Sequence, residues 1–111
     1  MLKLIIITAA LALSVPATAN AADDSDPASL CPLIEEFARS VMTARQHNVS
    51  MAKLMEAFAA HMPLLRKVAE DMILEAYSTP AYSTPAFRER AIDNFANNWS
   101  LACYNNIANN R

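Results

Sequence analysis

Glycine is absent from all 111 residues of this chain. That absence removes the phosphate-cradling glycine loop, the dinucleotide fingerprint and the Gly-x-Ser-x-Gly nucleophile elbow, each of which needs a backbone conformation or a close approach that glycine supplies. Nothing here points to a nucleotide-dependent enzyme. Charge is scarce as well: 18% of the residues are charged, the net charge is -2, and no Lys/Arg cluster is longer than Arg66-Lys67. The electrostatic footprint of a nucleic-acid binder is therefore missing, and no nucleic-acid partner is expected. Apolar residues make up 54% of the chain, and this length supports one core at most.

The first segment reads as a targeting signal. Met1-Leu2-Lys3 gives a short positive start, Leu4 to Val15 is apolar apart from Thr8 and Ser14, and Pro16 breaks the run ahead of small residues. This is the layout of a secretory signal peptide over residues 1–21. Two small-x-small sites follow, Ala17-Thr18-Ala19 and Ala19-Asn20-Ala21, so cleavage after Ala19 or Ala21 is open, with the acidic Asp23-Asp24 favouring the second. An apolar core of about a dozen residues is short of the ~20 that a spanning helix needs, so no membrane anchor is expected after cleavage. A lipoprotein is disfavoured by Leu30 directly before Cys31. The expected product is a single domain, residues 22–111, in the periplasm or outside the cell. With Lys3 gone from the nine basic residues, eight remain against eleven acidic ones, a net charge of -3.

Export and cysteine usage agree. Two cysteines in a small exported chain are most simply one disulfide, Cys31 to Cys103. Closing so long a loop contributes about 4 kcal/mol in the chain-entropy account. A redox or catalytic cysteine is the competing reading, but neither cysteine has a Cys-x-x-Cys partner or a neighbouring histidine.

The remaining chain reads as all-α, a small disulfide-clamped helical bundle. Leu30, Ile34, Phe37, Val41 and Ala44, supported by Cys31, Ala38 and Met42, form the apolar stripe of a helix from about Ala28 to Arg45. Ser29 or Asp26 starts it, and Pro32 is tolerated in its first turn. Asn48 serves as a left-handed terminator in place of glycine, and Ser50 can cap the next segment. Met51, Met55, Phe58, Met62, Leu65, Ala69, Met72 and Ala76 then follow at steps of three and four across Pro63. The last helix spans roughly Pro85 to Ile107, with Ile92, Phe95, Trp99, Ala102 and Cys103 or Tyr104 inward.

Whether Pro63 kinks one helix or separates two bears on the disulfide. In a three-helix up-down-up bundle the two cysteines would lie about 30 Å apart at 1.5 Å per residue, whereas a disulfide needs Cα atoms within about 7 Å. Four helical segments, with the second and third separated or kinked at Pro63, bring them to one end. The alternative is an extended connector from Ser78 to Pro85, which could itself travel about 25 Å along the bundle.

That connector holds a tandem repeat, Ala76-Tyr77-Ser78-Thr79-Pro80 and Ala81-Tyr82-Ser83-Thr84-Pro85. Each proline disfavours helix at the threonine before it, so residues 78–85 read as a loop in which Thr84 caps and Pro85 opens the last helix. Tyr77 and Tyr82 are the candidate interaction residues of this loop. A duplication tolerated in a connector is the plainer reading of the same repeat.

Cys31, then Arg45-Gln46-His47-Asn48, then Ala76-Tyr77 with a nearby proline, then Phe95 and Cys103, resembles small exported two-cysteine helical proteins of Gram-negative bacteria and their prophages. Many of those carry Arg-Gln-x-Gly, Ala-Tyr-x-x-Pro and a late Phe-to-Cys segment. Asn48 stands where their glycine does, and the duplicated pentapeptide departs from their pattern. The resemblance implies fold and compartment; it brings no settled activity and no catalytic residue.

Chemistry has few carriers. His47, Met51 and Met55 fall at four-residue steps with His61-Met62 beyond, which suits copper, but the methionines already belong to the core stripe. Zinc would have only two histidines besides oxidised cysteines. No metal and no cofactor is expected. Glu35-Glu36, Glu70-Asp71 and Glu89 sit near Arg39, Lys67, Arg88 and Arg90, the pattern of a solvated helix face rather than of an acid/base pair. The Asn-rich end, including Asn94, Asn98, Asn106 and Asn110, reads as the exposed side and tail of the last helix. The sequence thus points to a non-enzymatic exported bundle acting through contacts with an unidentified envelope protein. An acid-activated periplasmic chaperone, its eleven carboxylates loosening the bundle on protonation, is the alternative. A small hydrolase comes third.

Overall fold

Asp26 is the first of the described residues. Its carboxylate accepts from the Ala28 N–H at 3.0 Å and caps a 3₁₀ turn, Pro27–Leu30, which runs into helix α1, Cys31–Gln46, with Pro32 in the first turn. This computed structural model describes residues 26–61 and 63–110. The expected signal peptide and Met62 lie outside the described residues.

Helix α1 ends by backbone geometry. Asn48 sits at φ 58°, the left-handed region, and the Asn48 N–H bonds the Arg45 carbonyl while the Val49 N–H bonds the Ala44 carbonyl at 3.0 Å. This is a Schellman termination with asparagine, the most tolerant non-glycine residue there, at the left-handed position. Helix α2, Met51–His61, follows, then a 3₁₀ turn Pro63–Leu65 and helix α3, Arg66–Tyr77. Pro63 thus separates two helices. Thr84 accepts from the Phe87 N–H and Pro85 opens helix α4, Pro85–Asn109. Among the described residues there are four α-helices and no strand.

The helices run up, down, up and down. α1 and α4 are antiparallel and form the most extensive contact of the fold: Cys31 meets Cys103 at one end, Arg39 pairs with Asp93 midway, and Gln46 meets Tyr82 at the other end. The disulfide joins Cα atoms 5.6 Å apart across a sequence separation of 72. Its closure of that loop stabilises the fold by about 4 kcal/mol.

The core is small and drawn from every helix. Ile34, Ala38, Val41 and Met42 come from α1, Leu54 from α2, Met72, Ile73 and Ala76 from α3, and Phe95 from α4. Full burial of each of the larger side chains stabilises by roughly 1.5–3 kcal/mol. Phe37 and Phe58 add an edge-on ring pair at 4.7 Å between α1 and α2.

Three details depart from the sequence expectation. Leu30, read as core, is 41% exposed because it precedes α1 in the 3₁₀ turn, while Gln46 at the far end is 1% exposed. The buried residues of α1 are Cys31, Ile34, Ala38, Val41, Met42 and Gln46, so the expected stripe holds in its middle, with Phe37 and Ala44 only partly buried and Gln46 added at its end. Met51 is 39% exposed, and Leu54 and Ile73, outside the heptad stripe, are buried instead. Beyond the 3₁₀ turn the expected stripe holds, with Ala69, Met72 and Ala76 buried; the departure at Met51 and Leu54 lies within α2, before Pro63. In α4 the inward residue is Cys103 and not Tyr104, and Ala102 is exposed, because the disulfide fixes the rotation of the helix.

Candidate interaction surfaces

The two short motifs of the resemblance lie some thirty residues apart in sequence and meet at one end of the bundle. The Gln46 side chain is buried and its amide is spent on the loop: Nε2 donates to the Pro80 carbonyl at 2.9 Å, and Oε1 accepts from the Tyr82 N–H at 2.8 Å. Arg45 donates from Nε to the Thr79 carbonyl at 2.9 Å and lies over the Tyr77 ring at 5.1 Å. The Tyr77 hydroxyl donates to the Val49 carbonyl. Burial pushes that hydroxyl above its ordinary range, with Arg45 pulling partly the other way. Asn48, by turning the chain left-handed, is what places the Val49 carbonyl for Tyr77.

The two tyrosines of the repeat consequently have different surroundings. Tyr77 is half-buried and held by Val49 and Arg45. Tyr82 is 37% exposed; its ring centroid lies 6.0 Å from that of Phe87, itself 52% exposed. Arg88 donates from Nε to the Tyr82 carbonyl at 2.8 Å, and Arg90 lies over the Phe87 ring at 5.6 Å. The loop is tied to the bundle at Thr79, Pro80 and Tyr82, and with the first turn of α4 it exposes an aromatic pair edged by the guanidinium groups of Arg88 and Arg90.

Sequence reasoning missed Gln46. The signal was present: Ile34, Ala38, Met42 and Gln46 fall at four-residue steps on one helix face, and a polar residue continuing a buried row must be bonded to something.

The disulfide end offers a second surface. Leu33, Ile34, Phe37, Leu65 and Val68 line an open apolar hollow of about 300 Å³ between α1 and the start of α3. A neighbouring hollow of about 240 Å³ is lined by Leu30, Leu65, Val68, Trp99 and Cys103. Trp99 is half-buried, with its indole Nε1 buried and without a hydrogen-bond partner.

Some of the charged side chains form helix-surface pairs. Arg66 bonds Glu70 at 3.1 Å and Lys67 bonds Asp71 at 2.8 Å, each one turn apart, and Arg39 bonds Asp93 at 2.6 Å between α1 and α4. All are largely solvated, so each contributes about 0–1 kcal/mol. His47 lies in the turn before α2 and is exposed, and His61 ends that helix. Among the described residues no three side chains of His, Cys, Asp or Glu come together as a metal site, and no helix is long and apolar enough to cross a membrane. A disulfide of this kind forms and persists in an oxidising, non-cytoplasmic compartment. Compared with protein-family models, with curated proteins and with solved structures, the chain has no match.

Proposed function

We propose that this is a small exported helical protein that works in the periplasm through contact with another envelope protein, in line with its resemblance to exported two-cysteine proteins of bacteria and prophages. The observation that carries the reading is the Tyr82–Phe87 pair, exposed where a loop whose backbone is fixed by the buried Gln46 meets the first turn of α4. A loop held in one conformation has little ordering entropy left to lose on binding. Aromatic side chains are the residues that most often dominate a protein contact. Export is part of the proposal, resting on the Lys3, Leu4 to Val15 and Ala19-Asn20-Ala21 pattern together with the disulfide.

The acid-activated chaperone has less support. Acid unfolding needs carboxylates whose protonation costs the native state its bonds, yet the paired carboxylates here are partly or largely exposed, and the buried polar side chain is Gln46, an amide that does not titrate. The test of the contact reading is affinity capture from a periplasmic extract with oxidised protein of residues 22–111. Capture of a defined protein by the wild type, lost in Tyr82→Ala/Phe87→Ala with the helical spectrum unchanged, is the expected result. Identical captured sets would refute it.

A further inference from the structure

The basic residues of the bundle are sorted by end. Among the described residues Arg39, Arg66 and Lys67 each hold a carboxylate, whereas Arg45, Lys53, Arg88 and Arg90 form no ion pair. Three of these four gather at the repeat loop: Arg45 is bonded to Thr79, Arg88 to Tyr82, and Arg90 lies over Phe87. Lys53, in the first turn of α2, belongs to the same end. The hydrogen bonds of Arg45 and Arg88 use Nε alone, so their Nη groups keep the two-pronged donor edge that matches a carboxylate. Glu89, between Arg88 and Arg90 in sequence, is turned about 100° from each around the helix. Glu75 lines a separate hollow with Asn98 and Trp99.

We propose that the exposed Tyr82–Phe87 pair, with Arg88 and Arg90 at its edge and Arg45 on the Tyr77–Thr79 side of the same loop, is a docking surface for an acidic protein segment carrying an aromatic or aliphatic anchor. This inference rests on the contact reading above and adds the chemistry of the partner. Two observations select that chemistry. Unpaired guanidinium groups beside two exposed rings combine an anchor site with a carboxylate-binding rim, the pairing found at the energetic centre of protein contacts. The chain as a whole carries a net charge of -2, so an extended polyanion such as a nucleic acid or an anionic bilayer is repelled by the rest of the molecule, while a short acidic segment meets only the basic end.

Fluorescence anisotropy with the oxidised protein tests this. The probe is a labelled glutamate-rich peptide with a central phenylalanine and leucine, compared with its glutamine analogue and with phosphatidylglycerol vesicles. The glutamate peptide should bind at least about tenfold tighter than the glutamine analogue, and more weakly as salt rises. Arg90→Glu, which breaks no hydrogen bond of the fold, should weaken it about fivefold or more, and Arg88→Glu/Arg90→Glu further. Equal binding of both peptides, indifference to Arg90→Glu, or binding to vesicles without binding to the peptide overturns the proposal. Periplasmic capture that is lost in Tyr82→Ala/Phe87→Ala but kept in Arg90→Glu would leave the contact reading standing and remove only the acidic partner.

Discussion

Gln46 and Tyr82, 36 residues apart, are joined by a 2.8 Å hydrogen bond from the Tyr82 backbone N–H to the Gln46 side-chain oxygen. The same amide donates to the Pro80 carbonyl, so a single buried side chain at the end of α1 satisfies two backbone groups of a loop that lacks secondary structure of its own. Gln46→Leu keeps the volume and removes both bonds. It should cost about 2–3 kcal/mol, since two loop groups lose partners, and should accelerate hydrogen exchange at Tyr82 while the helical spectrum stays intact. Denaturant midpoints and amide exchange measure this; an unchanged Tyr82 exchange rate would show that the loop is held elsewhere.

At Asn48 the prediction runs in the opposite direction. Its φ of 58° is tolerated by asparagine, free for glycine and costly for a β-branched residue. Asn48→Gly should leave stability within about 0.5–1 kcal/mol of wild type, and Asn48→Val should lower it by about 1–2 kcal/mol or more. Thermal unfolding of the two variants checks the sign, and a Val variant as stable as wild type would contradict the assigned turn.

Reduction of Cys31–Cys103, or Cys103→Ser, should remove about 2–5 kcal/mol while leaving helix at low temperature. The bond clamps α1 to α4 near the C-terminal end of α4, where Leu101, Ala102 and Tyr104 are exposed and supply little other burial. Exchange should therefore rise first beyond Trp99. Uniform loosening of all four helices would mean that the clamp supports the whole core equally.

Tyr77 gives a pH dependence. Its hydroxyl titrates above the ordinary value of 10.0, chiefly because burial disfavours the phenolate. With the folded value raised, the unfolded chain releases this proton first, so the contribution is complete below pH of about 10 and is lost as pH climbs through the folded value. Tyr77→Phe should start about 1 kcal/mol less stable at neutral pH, having lost the bond to Val49, and should then lose less than wild type above pH of about 10. Parallel stability curves for the two proteins would exclude a titrating role for this residue.

Trp99 carries a buried Nε1–H without a partner. Trp99→Phe removes that unpaired donor along with part of the ring, so the two effects oppose, and the net change should stay within about 1 kcal/mol. Trp99→Ala should cost about 2–4 kcal/mol, because the ring packs on the core and lies 6.4 Å from Phe95. Chemical denaturation of both variants separates the cases; equal losses would show that the indole N–H has found a partner in solution.

Much of the fold was legible in the residues because it depends on local backbone chemistry. Pro85 after Thr84, Asn48 after a helical run and Pro32 in a first turn act over a few bonds, and each is found in the expected role. The pairing of Cys31 with Cys103 was legible by count, and the four-segment path followed from the geometric demand of that pairing. The candidate site was half legible. The repeat drew attention to Tyr77 and Tyr82 alike, and the prolines placed the second copy with an exposed Tyr82 in the loop; what the residues did not show is that Tyr77 is held by Val49 and Arg45.

By itself, the sequence determined that the chain is helical, that its helices stop near Asn48 and before the repeat loop, and that one disulfide joins its first and last helices, since caps, prolines and a single cysteine pair leave few alternatives; that Pro63 separates two helices was settled by the structure. Only the tertiary structure decided which face of each helix is buried and which partner each polar side chain takes. Gln46 became a clamp because the end of α1 packs against the loop before α4; Tyr82 became a surface residue because its backbone, and not its ring, is what that clamp holds. The physical reason is range. Capping and φ preferences act between residues close in sequence, whereas burial and the pairing of polar groups are settled between elements some thirty to seventy residues apart, after the chain has closed upon itself.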